Sequence, residues 1–235
     1  MKTLFFSSLI CLSLLSLQAQ ENYTVKMSIK TEGLPAEMSA FGEMDITSYV
    51  KGEKSKSETS SMMFSSIIYS DGNKITSLSE SMGNKTGYTT TKEELDGLDK
   101  NKTPEAKPKI EYINDKRTIA GFECSKAIVT FIDKDKKERQ SVIWYTEKLK
   151  QSNASIRKAN RRSMAVDLSE LKGSPLAMET TMSMQGMEVK SVMIATEVKL
   201  DPIDDSVFIP NTEGYNIMTF KEYQDRMRSM GGGPR

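Results

Sequence analysis

Met178, Met182, Met184, Met187 and Met193 crowd one stretch of a chain that carries 16 methionines. Thioether side chains are apolar, polarizable and adaptable, so this spacing allows three kinds of chemistry: ordinary core packing, the lining of a site for a greasy ligand, or soft sulfur for Cu(I). The Met182 and Met184 pair and the Met227 and Met230 pair would serve the last. Otherwise the chain is poor in reactive groups. It has no His, which removes imidazole as base, acid or metal ligand, and with it Ser-His-Asp hydrolases, HExxH metalloproteases and Cys-His nucleophiles. Asp133 to Glu138 begins like a calcium loop, but the required central Gly is missing and three Lys would repel the ion, so it reads as a hairpin loop. Asp204-Asp205 and Glu93-Glu94 are adjacent, whereas glycoside hydrolysis needs carboxylates that face each other across a sugar. A hydrolase using carboxylates alone would need a pocket with two opposed ones. Gly-rich phosphate cradles are absent, and no cofactor or metal is expected.

Arg157, Lys158, Arg161 and Arg162 form the densest basic cluster. Guanidinium forks suit phosphate head groups or an anionic membrane surface, and a solvated helix face is the plainer alternative. No aromatic residues interleave with them as stacking on single-stranded nucleic acid requires, and cations nearly balance anions over the chain, so a nucleic-acid partner is not expected.

Lys2, the apolar run Leu4 to Leu17 and the small Ala19 have the order of a secretory signal, giving a signal peptide over 1–19 and an exported, periplasmic or extracellular, product. The run is short for a membrane span. Cys11 lies inside it, which does not suit lipid attachment. Cys124 is then the one remaining thiol, read as a small buried hydrophobe without a partner to activate it.

The elements that must position these residues are mostly strands. Tyr23, Val25, Met27 and Ile29 alternate with polar residues, which places them on one sheet face. Met38 to Val50 repeats the habit. Met62 to Tyr69 and Lys74 to Met82 form a hairpin through Asp71-Gly72-Asn73, and Thr86 to Thr91 follows. Thr91 and Glu94 fit a capping box for a short helix. Pro104 and Pro108 mark a linker over 101–109. Beyond it, Lys109 to Tyr112 and Arg117 to Ala120 flank a turn, and Phe122 to Ile132 pairs with Arg139 to Thr146. Helical spacing runs from Ile156 to Leu171. Leu176 to Met184 and Val192 to Leu200 make a long hairpin, in which Ile194 and Val198 share one parity. Thr219 and Glu222 form a second capping box for a helix ending near Met230, and 231–235 is a tail.

Arg117-Thr118-Ile119-Ala120-Gly121-Phe122-Glu123-Cys124, followed by Trp144, Phe208-Ile209-Pro210 and Gly214-Tyr215-Asn216, resembles an uncharacterised family of exported envelope proteins. That family is similar in turn to the outer-membrane lipoprotein carriers LolA and LolB. The resemblance implies a single domain over 20–230, mainly β with some α (α+β). It would be a strongly curved antiparallel sheet, an unclosed β-barrel, with short helices on the concave side over an apolar cavity. The expected function is non-enzymatic binding or carriage of a lipophilic or amphiphilic ligand, a lipid or lipidated protein, with peripheral membrane contact. Met178, Met182, Met184, Ile194 and Val198 are the expected apolar wall, Trp144 lies near its rim, and Arg157, Arg161 and Arg162 are candidates for an anionic head group. The alternative is a structural or protein-interaction module of the envelope with a filled core.

Overall fold

The computed structural model describes residues 19–35, 37, 39, 42–99, 107–133, 136–151, 168–184 and 187–229. Residues 1–18, most of the 101–109 linker, the cluster Arg157, Lys158, Arg161 and Arg162, and the 231–235 tail lie outside them, as do the side chains of Met182 and Met184.

The chain is mostly β. Its strands are β1 (Asn22–Glu32), β2 (Glu43–Lys51), β3 (Lys54–Ser60), β4 (Phe64–Ser70), β5 (Lys74–Ser81), β6 (Asn84–Thr91), β7 (Lys109–Ile119), β8 (Phe122–Ile132), β9 (Glu138–Thr146), β10 (Ser174–Met184), β11 (Met187–Lys199) and β12 (Asn216–Thr219). All belong to one sheet of order β12-β6-β5-β4-β3-β2-β1-β11-β10-β9-β8-β7. The first strand is the seam. It pairs with β2 on one side and β11 on the other, so two successive meanders become one curved, unclosed sheet with β7 and β12 at its edges.

Four elements differ from the sequence expectation, each for a local reason. β3 reads Lys-Ser-Lys-Ser-Glu-Thr-Ser and has no apolar residue to announce a strand, yet it pairs along its length with β2 and β4. β7 runs unbroken through Asn114-Asp115-Lys116, where a register shift absorbs the residues expected to turn. Leu168 to Gly173 is turn rather than the end of a helix. There the Gln151 amide donates to the carbonyls of Leu171 at 2.6 Å and Gly173 at 2.8 Å. β12 is short and runs parallel to β6, which requires a crossover. Residues 200–215 supply it along one face of the sheet: Lys51 donates to the Ile203 carbonyl, Asp205 pairs with Lys51 at 3.2 Å and Lys54 at 3.0 Å, and Lys85 lies over the Tyr215 ring.

Both capping boxes form. Thr91 Oγ1 accepts from the Glu94 amide and Glu94 Oε2 accepts from the Thr91 amide, opening α1 (Lys92–Asp99). Thr219 and Glu222 repeat the exchange at the start of α2 (Phe220–Ser229). The two helices cover only the β4 to β6 end, where Leu95 and Phe220 pack on Ile68 and Ile75, and the Tyr223 ring stacks on Tyr88 at 4.4 Å. A larger cluster around Tyr23, Val25, Val50, Leu149 and Leu176 holds the middle of the sheet. Another, with Ala127, Val129, Ile143 and Tyr145, draws in Leu168 and Leu171.

Candidate ligand-binding face

Directly opposed residues of neighbouring strands project to the same face of a sheet. Following the register across seven strands gives one row: Tyr112, Ala127, Ile143, Met178, Met193, Ile29 and Met44. Every member is apolar or aromatic. The row above it continues Met27 to Ala195 on one side and to Ile46 on the other.

The charges follow the same register. From β10 through β11 and β1 to β6, each Asp, Glu, Lys and Arg falls on the opposite face: Lys26 faces Glu197, Lys30 faces Glu43, Lys51 faces Lys54, and Glu80 faces Lys85. Many of these charges are ion-paired there, among them Lys26 with Glu197 at 2.8 Å, Lys56 with Glu58 at 2.7 Å and Lys190 with Glu179 at 2.9 Å. The Glu197 carboxyl is held below its ordinary range by hydrogen bonds from Lys26 and Lys199. In a chain of which 28% is charged, that segregation leaves the other face of these strands free of charged residues, whereas on β9 Arg139 falls opposite Phe131, on the side of Ile143.

The uncharged face has two chemical zones. From β7 to β2 it carries the apolar row, flanked on the same face by a row of hydroxyls, Ser141, Thr180, Ser191 and Thr31. Across β3 to β6 it becomes rich in hydroxyls, with Ser55 opposite Ser70 and Ser57 opposite Ile68, followed by Ser77 and by Thr90, whose hydroxyl donates to the Glu94 carboxylate at 2.9 Å beneath the helices. Ser48 and Ser57 approach to 3.4 Å. Ser55 is 2% exposed, and its Oγ is buried without a hydrogen-bond partner.

The residues expected to form the wall do not all meet. Met178 is half-buried on the uncharged face, and the backbone register places Met182 opposite Val189 and Met184 opposite Met187 on that same face. Val198 joins them opposite Val25. Ile194 does not. An extra residue, Thr196, enters β11 between the Lys26–Glu197 and Met27–Ala195 pairs, its hydroxyl donating to the Lys26 carbonyl. The parity therefore flips, and Ile194 pairs with Ser28 and Ala177 on the charged face, 39% exposed. Trp144 also pairs with Ala177 and Lys126, on the face opposite Met178. It is buried in one cluster with Val25, Leu149 and Leu176, beneath the Arg117 guanidinium at 4.6 Å and the Lys126 ammonium at 5.6 Å. Met193, one of the clustered methionines, belongs to the face, and so do Met27, Ile29 and Met44, which lie outside the expected wall.

No family model matches the chain. No curated protein matches it in sequence. Solved structures align with it at low identity. PNGF-II aligns at a TM-score of 0.47 and 16% identity over 88% of this chain and 32% of its own. The present chain thus spans about a third of that protein's length. The Mycobacterium tuberculosis lipoprotein LppX aligns at 0.36 and 9% identity, over 77% of this chain and 88% of its own. A putative outer membrane lipoprotein-sorting protein domain from Vibrio parahaemolyticus aligns at 0.29 and 10% identity, over 80% and 88%.

Three carboxyl and thiol groups among the described residues, Glu94, Glu222 and Cys124, are already committed. An open groove of about 640 Å³ lies between β6, β12 and the two helix starts, with Glu94 and Glu222 on its wall. Each carboxylate accepts from its own capping threonine, and these bonds hold Glu222 below the ordinary carboxylate range. They explain both groups as helix caps. The Cys124 thiol is fully buried, and burial pushes it up to about 11, against the lesser pull of Arg117. A thiol in that state is a packed side chain, not a nucleophile. Among the described residues no group of three His, Cys, Asp or Glu is placed to hold a metal ion, and no helix is long and apolar enough to cross a membrane.

Proposed function

We propose that the protein is a non-enzymatic binding or carrier protein of the cell envelope whose lipophilic ligand lies against the uncharged face of the sheet. The observation that supports this reading is the apolar row from Tyr112 to Met44, carried across seven strands without a charged side chain. Placing an acyl chain there would contribute about 0.8 kcal/mol for each CH₂ removed from water, so a chain of ordinary length supplies enough for retention. Methionine at three positions of the row lets it conform to a flexible ligand. The signal-like residues 1–19 support export, and the same reading places the protein in the periplasm.

Met193, 2% exposed, favours a second reading in which the face is a filled core and the protein is a structural or interaction module. Native mass spectrometry separates the two. A carrier purified from its own compartment arrives with bound lipid, and the delipidated protein takes up fatty acid, glyceride or phospholipid. Protein that arrives bare and takes up none of them is a module of the second kind.

A further inference from the structure

Resting on the carrier reading, we infer that the ligand is an uncharged amphiphile: its chain lies on the apolar row between β7 and β2, and its hydroxyl-bearing head group lies against β3, at Ser55, beside the part of the face that the helices cover. Two independent observations meet there. The first is the segregation of charge. A carboxylate or phosphate laid against β3 to β6 would lose its hydration and find no Lys or Arg on that face of these strands, since Lys54, Lys56, Lys74 and Lys85 all project from the other side. Neutral hydroxyls and esters carry no such penalty.

The second is Ser55. A buried hydroxyl without a partner is uncommon, because it forfeits the hydrogen bonds that water gave it. Ser55 lies between Val50 and Ser70 in the register. A serine hydroxyl both donates and accepts, so it matches either a ligand hydroxyl or an ester carbonyl. The apolar row ends at Met44 on β2, the strand whose Val50 lies opposite Ser55, so a chain on that row reaches Ser55 by turning along β2.

The test uses the delipidated full chain and three probes that each carry one acyl chain of equal length: a monoacylglycerol, the fatty acid as its anion at pH 8, and the single-chain lyso form of phosphatidylglycerol. The monoacylglycerol should bind at least about tenfold more tightly than either charged probe. Equal or tighter binding of the fatty acid or of lyso-phosphatidylglycerol overturns the head-group inference and leaves the carrier reading standing. Binding of none of the three overturns both. Ser55→Ala supplies a further readout: it should weaken monoacylglycerol binding by about fivefold, the worth of one ordinary hydrogen bond. The melting temperature of the lipid-free protein should hold or rise, since the lost hydroxyl had no partner in the fold. Unchanged monoacylglycerol affinity, or a lower melting temperature without lipid, overturns the role given to Ser55.

Discussion

Arg139 meets Glu188 through two parallel hydrogen bonds, Nη1 to Oε2 at 2.8 Å and Nη2 to Oε1 at 2.7 Å, while its Nε donates to Asp133 at 2.9 Å. The planar guanidinium fork suits this bidentate pairing in a way that Lys cannot. One side chain thus ties the turn between β8 and β9 to the start of β11, and fixes the far end of the long β10–β11 hairpin that carries Met178 and Met193.

That pairing sets a pH dependence. Hydrogen bonds from Arg139 hold the Glu188 carboxyl below its ordinary value of 4.5, and Lys54 and Lys51 do the same for Asp205 against 3.8. A carboxylate lowered by folding contributes stability that is complete above its ordinary pKa and is lost as pH falls through the folded value. Melting temperature should therefore be level above about pH 5 and fall steeply toward pH 3. Glu188→Gln should melt lower than the parent at pH 6 and lose less on acidification. An equal loss in both proteins would show that the Arg139 pair does not contribute.

Adjacent residues of β11 should respond in opposite ways to the same substitution. Met193 is 2% exposed on the uncharged face, whereas Ile194 is 39% exposed among charged neighbours. Met193→Lys buries an ammonium without a partner and should cost about 3 kcal/mol or more, while Ile194→Lys should stay within about 0.5 kcal/mol. Chemical denaturation of the two variants decides it. Equal costs would mean that the Thr196 insertion does not flip the strand.

Much of the sheet is legible in the chain because strict alternation states both the element and its face. Tyr23 to Lys30 gives β1 and the direction of Met27 and Ile29 without error. The same rule misplaces Ile194, because an inserted residue leaves no mark in a run where Val192, Ile194, Thr196 and Val198 are all strand formers. β3 is invisible for the converse reason. Its inward residues are Ser55 and Ser57, so the alternation carries no hydrophobic signal, and its burial comes from neighbours far away in sequence. Strand parity in the sequence sets Trp144 near the rim of the wall. Only the pairing with Lys126 and Ala177 reveals that it serves the opposite face.

Gly87 is required where it stands. A Cβ there would lie 2.7 Å from Leu78 Cδ2, 2.8 Å from Ile217 Cδ1 and 2.8 Å from the Ser77 carbonyl. Gly87→Ala should cost about 1–3 kcal/mol through overpacking, and Leu78→Ala about 2–5 kcal/mol through the cavity it leaves. Because the added methyl enters the space that Leu78 vacates, the double variant should lose less than the two single losses together. Strict additivity in denaturation curves would argue that the two sites are not in contact.

Cys124 should be silent in the folded protein. With its thiol fully buried and raised to about 11, a disulfide reagent at pH 8 should label it only on the timescale of unfolding, and promptly in denaturant. The same shift has a sign at alkaline pH. A raised thiol favours the folded state fully below its ordinary value of 9.0, and that contribution is lost as pH rises toward 11. Prompt labelling of the native protein at pH 8 would contradict the burial.

Methionine oxidation distinguishes the rim of the sheet from its uncharged face. Met62 is 77% exposed in the turn between β3 and β4, and Met82 is 79% exposed in the turn between β5 and β6, whereas Met193 is 2% exposed at the centre of the apolar row. Peroxide needs access to sulfur, and the sulfoxide it leaves is polar. Under native conditions Met62 and Met82 should be oxidised first, with little change in melting temperature, because both products remain in water. Met193 should resist until the sheet opens, and its oxidation should then prevent refolding, since a sulfoxide at the middle of the row would be buried without a partner. Peptide mapping after timed exposure reads all three residues in one experiment. Early oxidation of Met193 alongside Met62 would mean that the row lies open to water, and the tight apolar contact on which ligand retention depends would be lost.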